Sequence, residues 1–387
     1  MVRGNLAPGV YLEEIPSGIH PIEGVPTSIT AFVGAAAKGP VASPVLVSSF
    51  PDFATQYGGL TDGMPLGYAV QQYFANGGSA ALIARVESSG GQLVDADLSD
   101  PALEKKQRGL WLLDQAERLN ILCIPPLAPT ADVGKVTWDT AVAYARKRRA
   151  FVIVDPPAVW ANAQAVTASS LAALVSPAAN AAVYFPRLRG ADPLHGNQIA
   201  VFAPCGAVAG LYARTDQYRG VWHSPAGAEA NLLGFQAAAV TLSTPETAAL
   251  DALKVNAIRP QPALAAWGAH TLAPDTVSPQ YKYIAVRRLA LYIEQSLAVG
   301  LRWAVFEPNM PALWAIVRAS VDDFLRGLWK QGGLQGTTAD DAYFVRFDPD
   351  IMRQRDLDPG RLIVLIGFAP VRPAEFVIIR LTIIGKR

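Results

Sequence analysis

The apolar positions of this chain change their period along its length. Between residues 27 and 219, short apolar runs alternate with segments of helical periodicity. Three successive runs, centred near Leu122, Val152 and Val183, lie about 30 residues apart, the length of a βαβ unit. Each run is followed within one residue by a proline, which cannot donate a ladder hydrogen bond. The pattern predicts an α/β layered domain with a largely parallel sheet.

The same pattern predicts the individual elements of this domain. The predicted strands cover residues 28–34, 80–86, 120–126, 150–157 and 181–187. The predicted helices cover residues 65–78, 103–119, 137–149 and 168–176.

After residue 220 the pattern changes. Proline and glycine are frequent up to residue 279, and two longer helical patterns follow, over residues 283–301 and 310–333. Strand patterns over residues 342–348, 361–370 and 375–384 close the chain. The pattern in this half of the chain therefore predicts a second domain, of the α+β class. The predicted division is an N-terminal arm (1–26), a middle domain (27–219), a C-terminal core domain (220–370) and a C-terminal arm strand (371–387).

Both ends of the chain predict extended arms. Prolines at positions 8, 16, 21 and 26 exclude a helix there, and the short strand-like segment between the first two needs a surface to lie on. The last strand is apolar on both faces, so it needs neighbours that cover them. Residues 1–24 carry a net charge of −2 and residues 371–387 carry +3, counted from their Arg, Lys and Glu residues. Opposite charge favours pairing of one arm with the other.

Composition narrows the class of protein. The chain is 51% hydrophobic and 17% charged, below the roughly 25% charged residues usual for soluble domains, which indicates a large core or extensive subunit interfaces. A net charge of +1 gives no indication of a basic surface that binds nucleic acid. No run of 18 apolar residues predicts a membrane span, and the N-terminus lacks the apolar region of a secretory signal, so we expect synthesis in the cytoplasm. Cys123 and Cys205 are expected to be buried small apolar residues.

The search for chemistry yields no catalytic, cofactor or metal site. There is no phosphate-binding glycine loop and no HExxH, CxxC or GxSxG motif, and the four histidines share no ligand spacing. Asp322 and Asp323 point about 100° apart on a helix and do not face one another. Asp155, at a predicted strand end, is the best single catalytic candidate, and a solvated turn aspartate is the favoured interpretation.

Several stretches of the sequence resemble the contractile tail sheath proteins of phages and phage-derived injection machines. They are “APGVYLEEIPSGIHPIEGVPTSITAFVG” near the start and, in the second half, “GVWHSPAG”, “NAIRP”, “YIAVRRLALYIEQSL”, “WAVFEPN”, “LWAIVRASVDDFLRGLWKQGGLQG” and “GRLIVLIGFAPVRPAEFVIIRL”. The chain length is similar to that of sheaths of R-type bacteriocins and extracellular contractile injection systems. His223 and His270 stand where the family more usually has lysine or arginine.

The resemblance implies a structural sheath subunit that forms stacked hexameric rings around an inner tube and contracts to drive the tube through a target envelope. It implies no enzyme activity and no cofactor. The expected partners are further copies of the chain, the inner tube protein, and baseplate and terminal cap proteins, without nucleic acid or membrane insertion. Assembly is expected in the cytoplasm, followed by a place in a phage tail or a released particle. A non-contractile shell protein and a cytoplasmic α/β enzyme are the alternatives.

The resemblance also implies that the arms cross to neighbouring subunits and complete their sheets. The arm residues expected at subunit interfaces are Val10, Tyr11, Leu12, Glu13, Glu14, Ile15, Phe376, Val377, Ile378, Ile379, Arg380, Leu381 and Ile383.

The helix that begins near Met310 is the candidate for contact with the inner tube. Its predicted core stripe is Trp314, Val317, Val321, Phe324 and Leu328. An adjacent row at i, i+4 spacing holds Arg318, Asp322, Arg326 and Lys330. One interpretation is a solvated face joined by its own ion pairs. The other, which the resemblance suggests, is that these cations meet carboxylates on the tube.

Overall fold

The structure is a computed structural model that describes residues 20–347, 361–371 and 377–384. Its strands are β1 (Thr30–Gly34), β2 (Val45–Val47), β3 (Ala81–Arg85), β4 (Ile121–Cys123), β5 (Phe151–Val154), β6 (Ala181–Phe185), β7 (Leu188–Asp192), β8 (Gln198–Phe202), β9 (Ala237–Ala238), β10 (Val255–Pro260), β11 (Leu264–Ala266), β12 (Tyr343–Arg346), β13 (Arg361–Phe368) and β14 (Val377–Ile384).

The α-helices are α1 (Phe50–Tyr57), α2 (Pro65–Ala75), α3 (Asp95–Ser99), α4 (Lys135–Arg148), α5 (Ala168–Leu174), α6 (Cys205–Arg219), α7 (Thr244–Ala252), α8 (Ile284–Gly300), α9 (Pro311–Lys330) and α10 (Ala339–Ala342).

An eight-stranded sheet forms the centre of the first part of the chain, in the order β11-β10-β6-β5-β4-β1-β3-β2. Its inner strands pair in parallel, and β2 and β11 pair antiparallel at the two edges. Alternate residues of each strand point to two separate cores: Ala31 and Val33 lie in one, and Phe32 lies in the other. Both faces are covered, so the strands are apolar throughout. This confirms the α/β layered fold.

The large sheet extends past the predicted boundary at residues 219 and 220. Strand β10 pairs in parallel with β6, with Val255 opposite Val183, and β11 pairs with β10. Val255 and Ile258 are buried. The boundary placed from proline and glycine frequency therefore requires correction, because those residues mark loops and do not show which sheet the next strand joins.

The helix predicted over residues 103–119 is wrong. Two short 3-10 segments, Pro101–Leu103 and Gly109–Gln115, occupy this range. Gln107 and Gly109 have φ angles of 49° and 58°. A Cβ on Gly109 would lie 2.5 Å from the carbonyl oxygen of Leu98, so the close approach of helix α3 sets the backbone here. The apolar residues that suggested a helix are buried in an irregular segment.

The C-terminal part packs helices α8 and α9 against a three-stranded antiparallel sheet with the order β12-β13-β14. In β13 both faces are buried, as Ile363 and Val364 show. Strand β14 pairs with β13 along its whole length, from Arg361 opposite Ile384 to Phe368 opposite Val377. This part confirms the α+β half of the predicted fold class. A second three-stranded sheet, β8-β7-β9, and helix α6 were not predicted.

Candidate subunit and tube interface

The last strand has one partner within its own chain. Strand β13 fills one side of β14, and no described strand pairs with the other side. On β14 the Ile379 side chain is buried, Leu381 is half-buried, and Arg380 is exposed. The expectation that this arm crosses to a neighbouring subunit and completes its sheet therefore applies to one edge of β14 at most, because β14 pairs with β13 and its apolar face completes the core of its own domain.

The other predicted arm residues are placed only in part. Val377, Ile378 and Ile383 belong to β14 through their backbone pairing. Phe376 and the N-terminal set, Val10, Tyr11, Leu12, Glu13, Glu14 and Ile15, lie outside the described residues.

Helix α9 buries one face and exposes the predicted charged row. Leu313, Val317, Val321, Leu325 and Leu328 are buried. Trp314 and Phe324 are only half-buried, and Leu313 and Leu325 take their places in the buried stripe. The i, i+4 spacing of the charged residues keeps them together on the opposite face.

The charged row is partly neutralised within the chain. The Nη2 atom of Arg326 donates to Oδ2 of Asp322 at 2.9 Å. The Tyr343 hydroxyl donates to Oδ1 of the same carboxylate, also at 2.9 Å. Arg318 and Lys330 are exposed, the first with its guanidinium 5.4 Å from the Phe347 ring centroid. Neither forms an ion pair with any described residue. The row thus combines one internal ion pair with two cations that are open to a partner.

A buried ion pair that the sequence did not reveal joins the two halves of the chain. Arg288 on α8 donates to both carboxylate oxygens of Asp216 on α6, at 2.8 and 2.6 Å. It also donates to the carbonyl oxygen of Thr27 at 3.0 Å, and its guanidinium lies 4.8 Å from the ring centroid of Tyr212. The two charged side chains are 3% and 4% exposed. Their spacing in the sequence, 72 residues, gives no local signal of the pairing.

Asp155 is neither solvated nor in an open cleft. Its side chain is buried, and its Oδ1 accepts a hydrogen bond from the backbone N–H of Cys205, at the start of α6, at 2.8 Å. Its Oδ2 is buried without a partner among the described residues. Burial raises the pKa of this carboxyl to about 7. The expectation of a solvated turn aspartate is wrong, because helix α6 closes over the end of β5. The Asp155 side chain thereby accepts from one of the N–H groups at the start of α6 that have no partner within the helix.

Of the remaining candidates for chemistry, the two cysteines meet in the core, where the Sγ of Cys123 donates to the carbonyl oxygen of Cys205 at 3.6 Å. Cys123 and Cys205 are buried and free, as expected. Within residues 20–347, 361–371 and 377–384, no three His, Cys, Asp or Glu side chains form a group that could hold a metal ion. Burial and the nearby Arg219 lower the pKa of His223. At neutral pH this position therefore lacks the positive charge of the lysine or arginine that the resemblance led us to expect there.

The chain has clear structural relatives. Residues 276–384 match the phage tail sheath C-terminal domain family. A chain in the 6-fold symmetrised cryo-EM structure of the anti-feeding prophage baseplate is 27% identical, with a TM-score of 0.72, and the match covers 98% of this chain and 99% of that one. The sheath complex of PVC, an extracellular contractile injection system, in its contracted state gives 26% identity, a TM-score of 0.73 and 98% coverage of both chains.

The helical sheath of the anti-feeding prophage in its contracted state gives 26% identity and a TM-score of 0.72, over 98% of this chain and 99% of that one. No curated protein matches the chain. No helix in the described part of the chain is long and apolar enough to cross a membrane. The fold is that of a tail-sheath protein. Residues 276–384 have the C-terminal domain of phage tail sheath proteins, and over almost its whole length the chain is similar to sheath proteins of contractile injection systems, as its sequence predicted, which supports a contractile sheath subunit.

Proposed function

We propose that this subunit polymerises as stacked hexameric rings around an inner tube and that the polymer contracts to drive the tube through a target envelope. The observation that supports this best is the match along almost the whole chain to sheath chains of two injection systems in the contracted state. The subunit works through its surfaces and carries out no catalysis. No cofactor, nucleic acid or membrane insertion enters the proposal.

We infer that the terminal arms connect neighbouring subunits. Strand β14 exposes a free edge among the described strands, and an added strand gains main-chain hydrogen bonds there whatever its sequence. The acidic segment Val10–Ile15 of a second copy is the proposed occupant, since Arg380 on β14 is exposed and positively charged. Each such hydrogen bond contributes about 0.5–1.5 kcal/mol, so many repeated links are needed for a durable polymer.

We infer that helix α9 faces the inner tube. Asp322 already neutralises Arg326, so Arg318 and Lys330 are the side chains proposed to meet carboxylates of the tube protein. The other proposed partners are baseplate and terminal cap proteins. Assembly in the cytoplasm and later release as part of a phage tail or free particle complete the proposal.

Two truncations test the arms. Deletion of residues 1–17 should leave a folded subunit that forms no tubes, because we expect a short extended arm with prolines to contribute little to the core of its own domain. Deletion of residues 375–387 should cause aggregation, because it removes β14 and exposes the apolar edge of β13. Size-exclusion chromatography and negative-stain electron microscopy distinguish these results. Normal tubes from the N-terminal deletion would contradict the arm exchange.

The proposed function itself is tested by electron microscopy of particles from cells that produce the chain with its tube protein. Sheathed tubes, in an extended and a shorter, wider form, are the expected result. Discrete globules that never copurify with a tube would contradict it, and sheaths of one fixed length would favour a non-contractile shell.

A further inference from the structure

The segment that precedes strand β1 lies extended along helix α8. We call residues 20–27 the strap. Within it, the backbone N–H of Val25 donates to the Ser296 hydroxyl at 3.2 Å. Arg288 donates to the carbonyl oxygen of Thr27 at 3.0 Å. The strap contains no helix or strand, so these side chains of α8 supply hydrogen-bond partners that a sheet would otherwise give its backbone.

Shape complementarity fixes the strap in one register. A Cβ on Gly300 would lie 2.7 Å from Cγ2 of Ile22, so the absence of a side chain in α8 makes room for this isoleucine. In the same way, a Cβ on Gly24 would lie 2.0 Å from the hydroxyl oxygen of Tyr292. Ile22 is 8% exposed and belongs to the C-terminal core. A shift of the strap by one residue would lose both fits.

The contacts follow a single ridge of α8. Arg288, Tyr292, Ser296 and Gly300 are spaced four residues apart, and residues at this spacing lie on one face of a helix. They span about 18 Å of helix axis, from the buried ion pair with α6 to the end of α8. The stretch from Ile22 to Thr27, which makes these contacts, reaches about 18 Å when fully extended and so matches this span.

The far end of the strap reaches helix α9. The backbone N–H of His20 donates to the buried hydroxyl of Ser320 on α9 at 3.1 Å. The His20 ring stacks on Trp303, with ring centroids 4.0 Å apart and an interplanar angle of 25°. The strap is therefore fixed to both long helices of the C-terminal domain.

We propose that this ridge is an anchoring site. When the N-terminal arm is pulled, helices α8 and α9 bear the force instead of strand β1. The proposal rests on the proposed function, in which the arm joins a neighbouring subunit. The contacts along the ridge share a pull directed along the strap. Without them, the pull would act on the amino end of β1, which lies between β3 and β4 in the large sheet. Helix α9 also carries Arg318 and Lys330, so the same helices hold the arm and the tube-facing row.

The anchor is tested by the variant Gly300→Val, whose side chain displaces Ile22. A matched control is Gly327→Ala, also at a helical glycine, where an added Cβ meets nothing within 4 Å. A glutamyl endopeptidase cuts after the exposed Glu23 only when the strap opens, so the cleavage rate reports the open population. Mass spectrometry of the fragment that begins at Gly24 measures this rate in the full chain. A second variant, Ser296→Ala, removes the hydroxyl that accepts from Val25 and adds no bulk to the ridge.

We expect Gly300→Val to be cut at Glu23 at least tenfold faster than the wild type, Ser296→Ala to be intermediate, and Gly327→Ala to match the wild type. Sheaths of the Gly300→Val subunit, viewed in the electron microscope, should be short or broken. Cleavage of both strap variants at the wild-type rate would overturn the anchoring site. Faster cleavage with sheaths of normal length and stability would overturn the proposal that helices α8 and α9 bear the force. If the wild-type chain forms no sheath at all, the proposed function fails, and the cleavage rates still decide whether the ridge anchors the strap.

Discussion

Removal of the Arg288 side chain should destabilise the subunit more than any substitution on its charged surface. In Arg288→Met the carboxylate of Asp216, 4% exposed, keeps its burial and loses both hydrogen bonds of its charged partner. Truncation of one partner of a buried ion pair costs about 3–5 kcal/mol, because the remaining charge is left uncompensated in a medium of low dielectric constant. The carbonyl oxygen of Thr27 loses its donor as well, which adds about 1 kcal/mol.

The free energy of unfolding from urea titration, followed by circular dichroism, measures this loss. The double variant Arg288→Met, Asp216→Leu should regain most of it, since an apolar pair of similar volume leaves no buried charge. Arg326→Met is the matched control: it breaks the exposed pair with Asp322, side chains 51% and 38% exposed, and should cost about 0.5 kcal/mol or less. A loss below about 1 kcal/mol in Arg288→Met, or a double variant as unstable as the single one, would refute the reasoning.

Three further predictions concern other parts of the subunit. Burial raises the folded-state pKa of Asp155 from 3.8 to about 7, so its protonated form stabilises the fold and this stability is lost as the pH rises towards 7. Relative to Asp155→Asn, the wild type should lose up to about 1.4 kcal/mol per pH unit between pH 5 and 7 and no more above pH 8, and a flat difference in urea titrations would contradict the assignment. Gly109→Ala should cost about 2 kcal/mol or more in thermal unfolding, since φ is 58° and the new Cβ meets a carbonyl oxygen at 2.5 Å, and a cost below about 0.5 kcal/mol would argue against that backbone. Lys330→Glu should give sheaths that release their tubes at lower salt than the wild type while the subunit keeps its stability, and tubes held as firmly as before would remove Lys330 from the tube-facing row.

Local pattern determined strands β1, β3 to β6 and β12 to β14 and helices α2, α4, α5, α8 and α9. An apolar run that ends at a proline leaves the chain few alternatives to a short strand, and strands β4, β5 and β6 lie where these runs predicted them. Helices α8 and α9 repeat their apolar positions over several turns, and their bounds agree with the predicted ranges to within a few residues. The i, i+4 spacing on α9 also determined that Asp322 and Arg326 can pair, because this contact stays within one helix.

Only the tertiary structure decided how distant segments meet. The approach of α3 forced the backbone at Gly109 and removed a helix that the apolar pattern favoured. Strand β10 joined the large sheet although its neighbours in sequence had suggested another domain. Asp155 and Arg288 received their partners from α6, and no spacing in the sequence announces contacts of 50 and 72 residues. Periodicity reports which face of an element is apolar, whereas the identity of the surface that covers that face depends on packing between elements far apart in the chain.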